Sequence, residues 1–223
     1  MASKSDKTPP PSERTRLHRV PERGHYDKDT IYPILDEGVV CHVGIAVDGQ
    51  PYVIPMAYAR QGDRLLLHGS LISRLMKTLA DGVDACVTVT HLDDLVLARS
   101  VFHHSMNYRS VVALGRAVPI RDEAEKSEAL EVLVEHLIPG RSADARAPSE
   151  KELAATEILA FPLDEASVKI RTGPPSDDRR DLDLPVWAGL IPFRTEHQPP
   201  EPSPDLQEGV DLPDYVANYR RRG

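Results

Sequence analysis

Cysteine is nearly absent. The 223 residues contain two, Cys41 and Cys86, each inside an apolar, strand-like run, which reads as buried free thiols in a reducing compartment rather than a disulfide framework. Positive charge is in deficit as well. A formal net charge of -8 gives no long-range attraction for nucleic acid or an anionic membrane. No stretch approaches the ~20 apolar residues of a membrane span. The segment Met1 to Arg16 is polar, charged and proline-bearing, without the apolar core of a signal peptide. The expectation is a cytoplasmic protein with no nucleic-acid and no membrane partner.

Familiar catalytic signatures are missing too. No glycine-rich dinucleotide fingerprint follows a strand, and no GxxxxGK[ST] occurs. There is no G-x-S-x-G elbow, no catalytic Cys-His spacing, no paired-carboxylate motif and no internal repeat. Two adjacent histidines, His103 and His104, point to opposite faces if they lie on a strand and do not share one ion easily, so no metal site is expected. A chain without chemistry of its own fits a protein whose bound cofactor is the reagent.

What is present is a chain long enough for one domain with a substantial core. Residues 1–22 hold almost no apolar content and include Pro9-Pro10-Pro11, which predicts a disordered arm. Asp27 caps a short helix that ends at Gly38. Val39, Cys41, Val43, Ile45 and Val47 alternate as a strand. Asp48-Gly49 then signals a hairpin, because both turn positions need positive φ. The return strand Tyr52 to Ala59 contains Pro55, which cannot donate to a ladder and marks an edge or a break. Further strands are expected at Leu65 to His68, Ala85 to Thr90, Leu95 to Ala98, Tyr108 to Ile120, Ile158 to Pro162 and Ala166 to Arg171. A helix is expected over Leu71 to Ala80, with Ile72, Leu75, Met76 and Leu79 as its core stripe, and another over Glu123 to Leu137. Hairpin-linked strands with few helices predict a mainly-β α+β fold, and this many short antiparallel strands favours a barrel.

Three constellations carry the polar chemistry. His68-Gly69-Ser70 closes a strand and leads through Ser73-Arg74 into a helix. Unpaired N–H groups at such a helix start suit a phosphate, and Arg74 there opposes the helix dipole unless an anion is present. The plainer reading is a capped amphipathic helix with a solvated face. His103 to Ser110, with Asn107, Tyr108 and Arg109, puts dense donors at a strand entrance; an ordinary polar loop with Arg109 in a surface ion pair is the alternative. Pro185 to Gly189 carries the one tryptophan, Trp187, on an apolar island in a solvated tail. It anchors the tail, walls a cofactor, or does both.

In this order, these segments resemble the pyridoxamine 5'-phosphate oxidase-like split-barrel superfamily, most closely its nitroimidazole-resistance branch. The matching text is Gly49 to Pro55, Leu67 to Ser70 with Ser73-Arg74, Ser105 to Val112 through Gly115-Arg116-Ala117, Lys169 to Gly173 and Val186 to Gly189. The resemblance implies a six-stranded split β-barrel over residues 23–193 with an extended, proline-rich acidic tail over 194–223. The tail itself, from Arg194 to Gly223, is not explained by the superfamily core. The resemblance also implies a homodimer with FMN in clefts between subunits. Carried over, Ser73 and Arg74 would take the FMN phosphate, with His68, Gly69 and Ser70 beside it. Val53, Ile54 and Pro55 would present backbone to the ring. Asn107, Tyr108 and Arg109 would approach the ring or ribityl chain, and Trp187 would close the cleft. The vitamin B6 oxidases of this superfamily carry a C-terminal Arg-x-His motif. Here the nearest text is Arg194-Thr195-Glu196-His197, which does not fit, so that activity is not expected. The implied function is an FMN-dependent oxidoreductase on a small molecule, with Tyr108 and His68 as candidate proton donors. The alternatives are a non-catalytic flavin-binding or flavin-sensing module, or a split barrel that holds haem or a deazaflavin.

Overall fold

The computed structural model describes residues 8–220. The Asp27 carboxylate accepts the Thr30 N–H at 2.8 Å and starts α1 (Lys28–Glu37), which follows the two-residue strand β1 (Gly24–His25). α1 buries Ile31, Ile34 and Leu35 and stops at Gly38. A Cβ on Gly38 would stand 2.5 Å from the Tyr58 hydroxyl, so no other residue fits unless Tyr58 moves.

β2 (Val40–Val47) and β3 (Gln50–Gln61) form the expected hairpin. Asp48 has φ +51° and Gly49 φ +80°, the two left-handed positions of a type I′ turn. A Cβ on Gly49 would meet nothing within 4 Å. Gly49→Ala is therefore expected to lower unfolding stability through backbone strain alone, by about 1 kcal/mol. Denaturant titration checks this; an unchanged midpoint would show that the turn does not need glycine.

The remaining strands are β4 (Arg64–Ser70), β5 (Ala85–Leu97), β6 (Ser105–Gly115), β7 (Val118–Pro119), β8 (Thr156–Pro162), β9 (Glu165–Arg171) and β10 (Gly189–Pro192). The helices are α2 (Arg74–Ala80), α3 (Glu123–Leu137), α4 (Glu150–Ala155) and α5 (Asp214–Ala217). The strands pair antiparallel in the order β1-β9-β6-β5-β2-β3-β4-β8-β7, with β10 on β5. The path does not close on itself, and its two ends are strands of two residues, short edges that offer little to a foreign strand. This is the expected mainly-β α+β split barrel.

The main core fills the barrel with Val43, Ile45, Leu65, Leu67, Val87 and Phe161, while Ala59, Leu66 and Ile158 face α3 through Ala129 and Leu133. The barrel is split between β3 and β4. These strands pair only from Tyr58↔Leu67 to Gln61↔Arg64, so Gln50 to Ala57 of β3 and His68 to Ser70 of β4 part company. Pro55 thus sits where β3 is an edge on that side, in register with His42 on the other. Its missing N–H costs no ladder bond there.

Several local expectations need correction. The helix after β4 begins at Arg74, not Leu71, and Ser73 rather than Ser70 precedes it. The β4–β8 ladder runs on to Ser70↔Thr156, and Leu71 N–H donates to Ala155 O at 3.2 Å, so the chain is still extended there. Ile72 consequently leaves the core stripe and is 83% exposed. The expected strands Ala85 to Thr90 and Leu95 to Ala98 are one strand, β5, with a register shift between Leu92 and Asp94. The strand expected over Tyr108 to Ile120 is split into β6 and β7. In the N-terminal arm, residues 1–7 lie outside the described residues. Residues 8–22 lie along β9: Thr15 is buried, Arg14 Nε donates to Glu165 at 2.8 Å, and Lys169 Nζ donates to Arg19 O at 3.0 Å. These contacts are polar, which is why an apolar pattern does not reveal them.

Candidate functional site

Strand alternation and register decide which expected residues share a surface. Val53 and Pro55 pair with Gly44 and His42 on the outer face of the sheet, whereas Ile54 pairs with Val43 and packs on the core. On β4, His68 and Ser70 point outward with Leu66, opposite the inward Leu65 and Leu67. Val53, Pro55, His68 and Ser70 therefore line the two lips of the split. Gly69 lies between the last two, and a Cβ on it would meet Met76 Cγ at 2.8 Å. Its hydrogen lets α2 pack close to the end of β4. α2 sits at the mouth of the split, and the Arg74 guanidinium lies 4.2 Å from the centroid of the Tyr52 ring on the opposite lip. Ser73 immediately precedes α2, and its hydroxyl makes no capping bond. An exposed guanidinium held by an aromatic face beside an uncommitted hydroxyl can meet an anionic group that enters the split.

His68 is the polar residue most affected by this setting. Its Nδ1 is buried without a hydrogen-bond partner, and burial pushes its pKa below the ordinary imidazole value. The folded state thus keeps this ring neutral. The unfolded chain takes up a proton near pH 6.5 and the folded chain resists, so His68 contributes stability above that pH and loses it as pH falls through the depressed value. Melting temperatures at pH 7 and pH 5 should diverge more in wild type than in His68→Asn. Equal slopes in the two proteins would mean that His68 is as easily protonated folded as unfolded.

The second constellation is committed within the chain. Asn107 is 2% exposed; its amide donates to Asp94 Oδ2 at 2.8 Å and Gly173 O at 3.2 Å and accepts from the buried Arg171. Arg109 donates to Glu37 Oε1 at 2.8 Å and Asp93 Oδ1 at 2.9 Å. Its guanidinium pKa is pushed up, first by Glu37 and then by Asp93. The Glu37 partner ends α1, where a cation is favourable. Tyr108 differs: it pairs with Leu92, lies on the outer face and is part-exposed. Asn107 and Arg109 line a cavity of about 900 Å³ together with Gly38, His42, Leu92 and Phe193, a volume suited to a small molecule or cofactor. Trp187 is 66% exposed, so it does not anchor the tail in the core. Its ring lies over Gly189, where a Cβ would come within 2.8 Å. The tail is attached instead by β10, four residues in register with Asp94 to Leu97 of β5.

The structure therefore separates the expected residues into two groups. β4 and β6 are separated by β3, β2 and β5, four inter-strand steps or about 19 Å along the sheet. The two strands of the split carry Val53 and Pro55 on β3 and His68 and Ser70 on β4, with Ser73 and Arg74 following β4; Arg74 reaches Tyr52, which faces the core side of β3, opposite to Val53 and Pro55. The cavity gathers Asn107 and Arg109; Tyr108, between them in sequence, and Trp187 are not among its walls. Sequence reasoning missed Tyr52, which holds Arg74, and the carboxylates Glu37 and Asp93, which hold Arg109. It also missed the exposed apolar surface of the β5–β6 hairpin: Val101 and Phe102 at its tip, and Leu95, Met106 and Ile191, which share one face by register. The mixed apolar run at Leu95 gave no sign that β10 would widen this face. Among the described residues, no group of three or more His, Cys, Asp or Glu is placed to hold a metal ion, and no helix is long and apolar enough to cross a membrane.

The fold is thus a split barrel with an exposed guanidinium and hydroxyl at the mouth of the split and a cavity beside β5 and β6. The family model described as pyridoxamine 5'-phosphate oxidase matches residues 27–170, and the chain belongs to that family. Among solved structures it is similar to the flavocytochrome Anf3 from Azotobacter vinelandii, at 44% identity over 95% of this chain and 98% of that one, with a TM-score of 0.90. It is also similar to a FAD and heme binding protein from Mycobacterium smegmatis, at 37% identity over 87% of this chain and 95% of that one, TM-score 0.84. A putative 5-nitroimidazole antibiotic resistance protein from Bacteroides thetaiotaomicron matches at 26% identity, over 66% of this chain and 86% of that one, TM-score 0.56. No curated protein matches.

Proposed function

We propose that this chain binds a flavin nucleotide and a haem, works as a homodimer, and is an oxidoreductase acting on a small molecule. The observation that carries the reading is the agreement, across nearly the whole chain, with a flavocytochrome and with a FAD and heme binding protein. The family match alone calls for a flavin. Residues at the split offer donor chemistry that suits each group. The split offers Ser73 and Arg74 to a phosphate. The His68 ring, which burial holds toward its neutral form, is in the protonation state that iron ligation needs, since a charged imidazole cannot be a ligand. When bound, a flavin supplies two-electron chemistry and a haem one-electron chemistry; the residues here bind and orient. FAD is the flavin favoured by the relative at 37% identity. FMN is the simpler occupant, because the split presents one phosphate cradle.

Dimerisation follows from the two separated groups. On the outer face of the sheet Val53 is exposed and Gly44, Cys86, Thr88 and Val112 are half-buried, and the hairpin tip exposes Val101 and Phe102 at 87% and 88%. Exposed apolar side chains such as Val101, Phe102, Leu95 and Met106 on this hairpin suit an interaction surface. A second copy would bring the hairpin and tail of one chain toward the split of the other.

The test is direct. Purified protein, or protein incubated with haem and then with FAD or FMN, should show a flavin band and a haem Soret band. Denaturation should release FAD by chromatography, and light scattering should give twice the chain mass. A flavin band without haem would reduce the reading to a flavoprotein. FMN in the extract would restore the simpler occupant. Neither band after incubation, or a monomer at micromolar concentration, would sink the corresponding part. A bound flavin that NAD(P)H, dithionite and candidate electron-poor aromatics cannot cycle would favour a non-catalytic binding module.

A further inference from the structure

Beyond residue 170, where the family match ends, the chain continues as a strap. It is fastened at its start by β10 and by the Phe193 N–H, which donates to Asp93 O at 2.8 Å. Phe193, Arg194 and Thr195 then form one wall of the 900 Å³ cavity. From Ile191 to Leu212 every residue is exposed. Among the described residues, the hydrogen bonds of 198–212 run within that stretch. A segment with so few contacts to the barrel opens at little cost.

The far end is fastened again. Tyr219 donates to Leu137 O, at the end of α3, at 2.7 Å. Tyr215 donates to Asp144 at 2.6 Å and accepts from Arg141 at 2.8 Å. Its side chain lies over Gly140, which has φ +91° and where a Cβ would be 3.2 Å from Tyr215. The His197 ring meets the Tyr219 ring edge-on at 4.8 Å. One residue, Glu196, separates His197 from the cavity wall at Thr195. On its other side Tyr219 faces a small cleft with Asp36, Glu37, Val39 and His136, and His136 bonds the Gly38 carbonyl at 2.7 Å. The segment Glu37 to Val40 thus has the latch behind it and the cavity in front.

We propose that Tyr215 and Tyr219 form a latch that holds Phe193, Arg194 and Thr195 in place as a movable wall of the cavity. Tyr219 is a positioning residue: it acts on the wall through His197 and the short Glu196 link, and it touches no cavity ligand. A molecule that binds the closed wall more tightly than the open one is then coupled to the latch and, by reciprocity, tightens it. The inference concerns the chain alone and does not depend on which cofactor the protein holds.

The experiment is amide hydrogen exchange read by mass spectrometry on the full-length chain, as wild type, Tyr219→Phe and Tyr219→Ala. Tyr219→Phe keeps the ring against His197 and removes one hydrogen bond; Tyr219→Ala removes both. The expected result is a graded rise at the Phe193 amide, the wall amide whose hydrogen bond to Asp93 O gives it protection, at least tenfold in Tyr219→Ala, with β2 and β3 unchanged. A rise confined to 214–220 would show that the wall does not need the latch and would overturn the proposal. A uniform rise across the barrel would overturn it too, by making Tyr219 a determinant of global stability. Because the measurement uses protein without added cofactor, it can fail while the flavin and haem reading stands, and the reverse.

Discussion

Asn107→Ala should lower the stability of this protein by about 3 kcal/mol, a drop of roughly 6–12 °C in melting temperature for a chain of this size. The reason is that both ends of the amide are already in use. Its oxygen accepts from Arg171, which is 7% exposed, and its nitrogen donates to Asp94 and to the Gly173 carbonyl. Alanine removes the side-chain partner of a buried guanidinium. Arg171 is left with longer bonds to the carbonyls of Gly173 and Pro174, both 3.3 Å. A hydrogen bond to a charged group contributes about 1.5–3 kcal/mol, and an unpaired buried donor adds its desolvation penalty. Burial already pushes the Arg171 pKa down, so this corner has little margin. The check is reversible thermal or denaturant unfolding, with ligand-binding assays run on the folded fraction. A loss under about 0.5 kcal/mol, within the range of an ordinary surface substitution, would show that water replaces the amide and that Asn107 is not structural.

This expectation reverses the sequence-based role of Asn107, and the reversal shows where the sequence is legible. The pattern of β2 and its Asp48-Gly49 turn could be read directly, because strand alternation and a positive-φ turn are local properties. The start of α1 at Asp27 was legible for the same reason. The start of α2 was not. Its boundary is set by Ser70 pairing with Thr156, a partner 86 residues away along the chain, and no local signal reports that ladder. The polar run His103 to Ser110 advertised donors but not where they would be spent. Arg109 is consumed by Glu37 of α1 and by Asp93, and Asn107 by Arg171 of β9. Glu37 and Arg171 come from elements far away along the chain, and Asp93 from β5 across the hairpin. By contrast, Pro55 could be read as an edge because a missing N–H is a property of the residue itself. The place where β3 and β4 separate, which makes the split, emerged only from the full register. The tail is the extreme case: its proline and charge indicate exposure, while its fastening rests on β10 and on two tyrosines with no periodic pattern.

Arg74→Ala should weaken flavin nucleotide binding ten- to hundredfold while leaving the apo fold nearly intact. Arg74 is exposed and faces away from Leu75, Met76 and Leu79, the buried residues of α2. Its truncation therefore opens no cavity. What the apo protein loses is the contact with the Tyr52 ring, a cation–π interaction worth about 0.5–1 kcal/mol at an exposed site. In the nucleotide complex more is at stake. No acidic residue stands in the first turn of α2, so the guanidinium opposes the helix dipole unless an anion arrives. A charge-assisted contact from guanidinium to phosphate is stronger than a neutral hydrogen bond, at about 1.5–3 kcal/mol. That is roughly one to two decades in affinity. Tyr52→Leu should give a smaller loss in the same direction, because it frees Arg74 from its aromatic support without removing the charge. Riboflavin, which lacks the phosphate, should bind wild type and Arg74→Ala about equally. The measurement is a set of titrations of FAD, FMN and riboflavin against the three proteins, with apo melting as the control. Equal FMN and FAD affinities in wild type and Arg74→Ala would remove the phosphate from this split, and the Arg74–Tyr52 pair would then be a surface contact that helps hold α2 against β3.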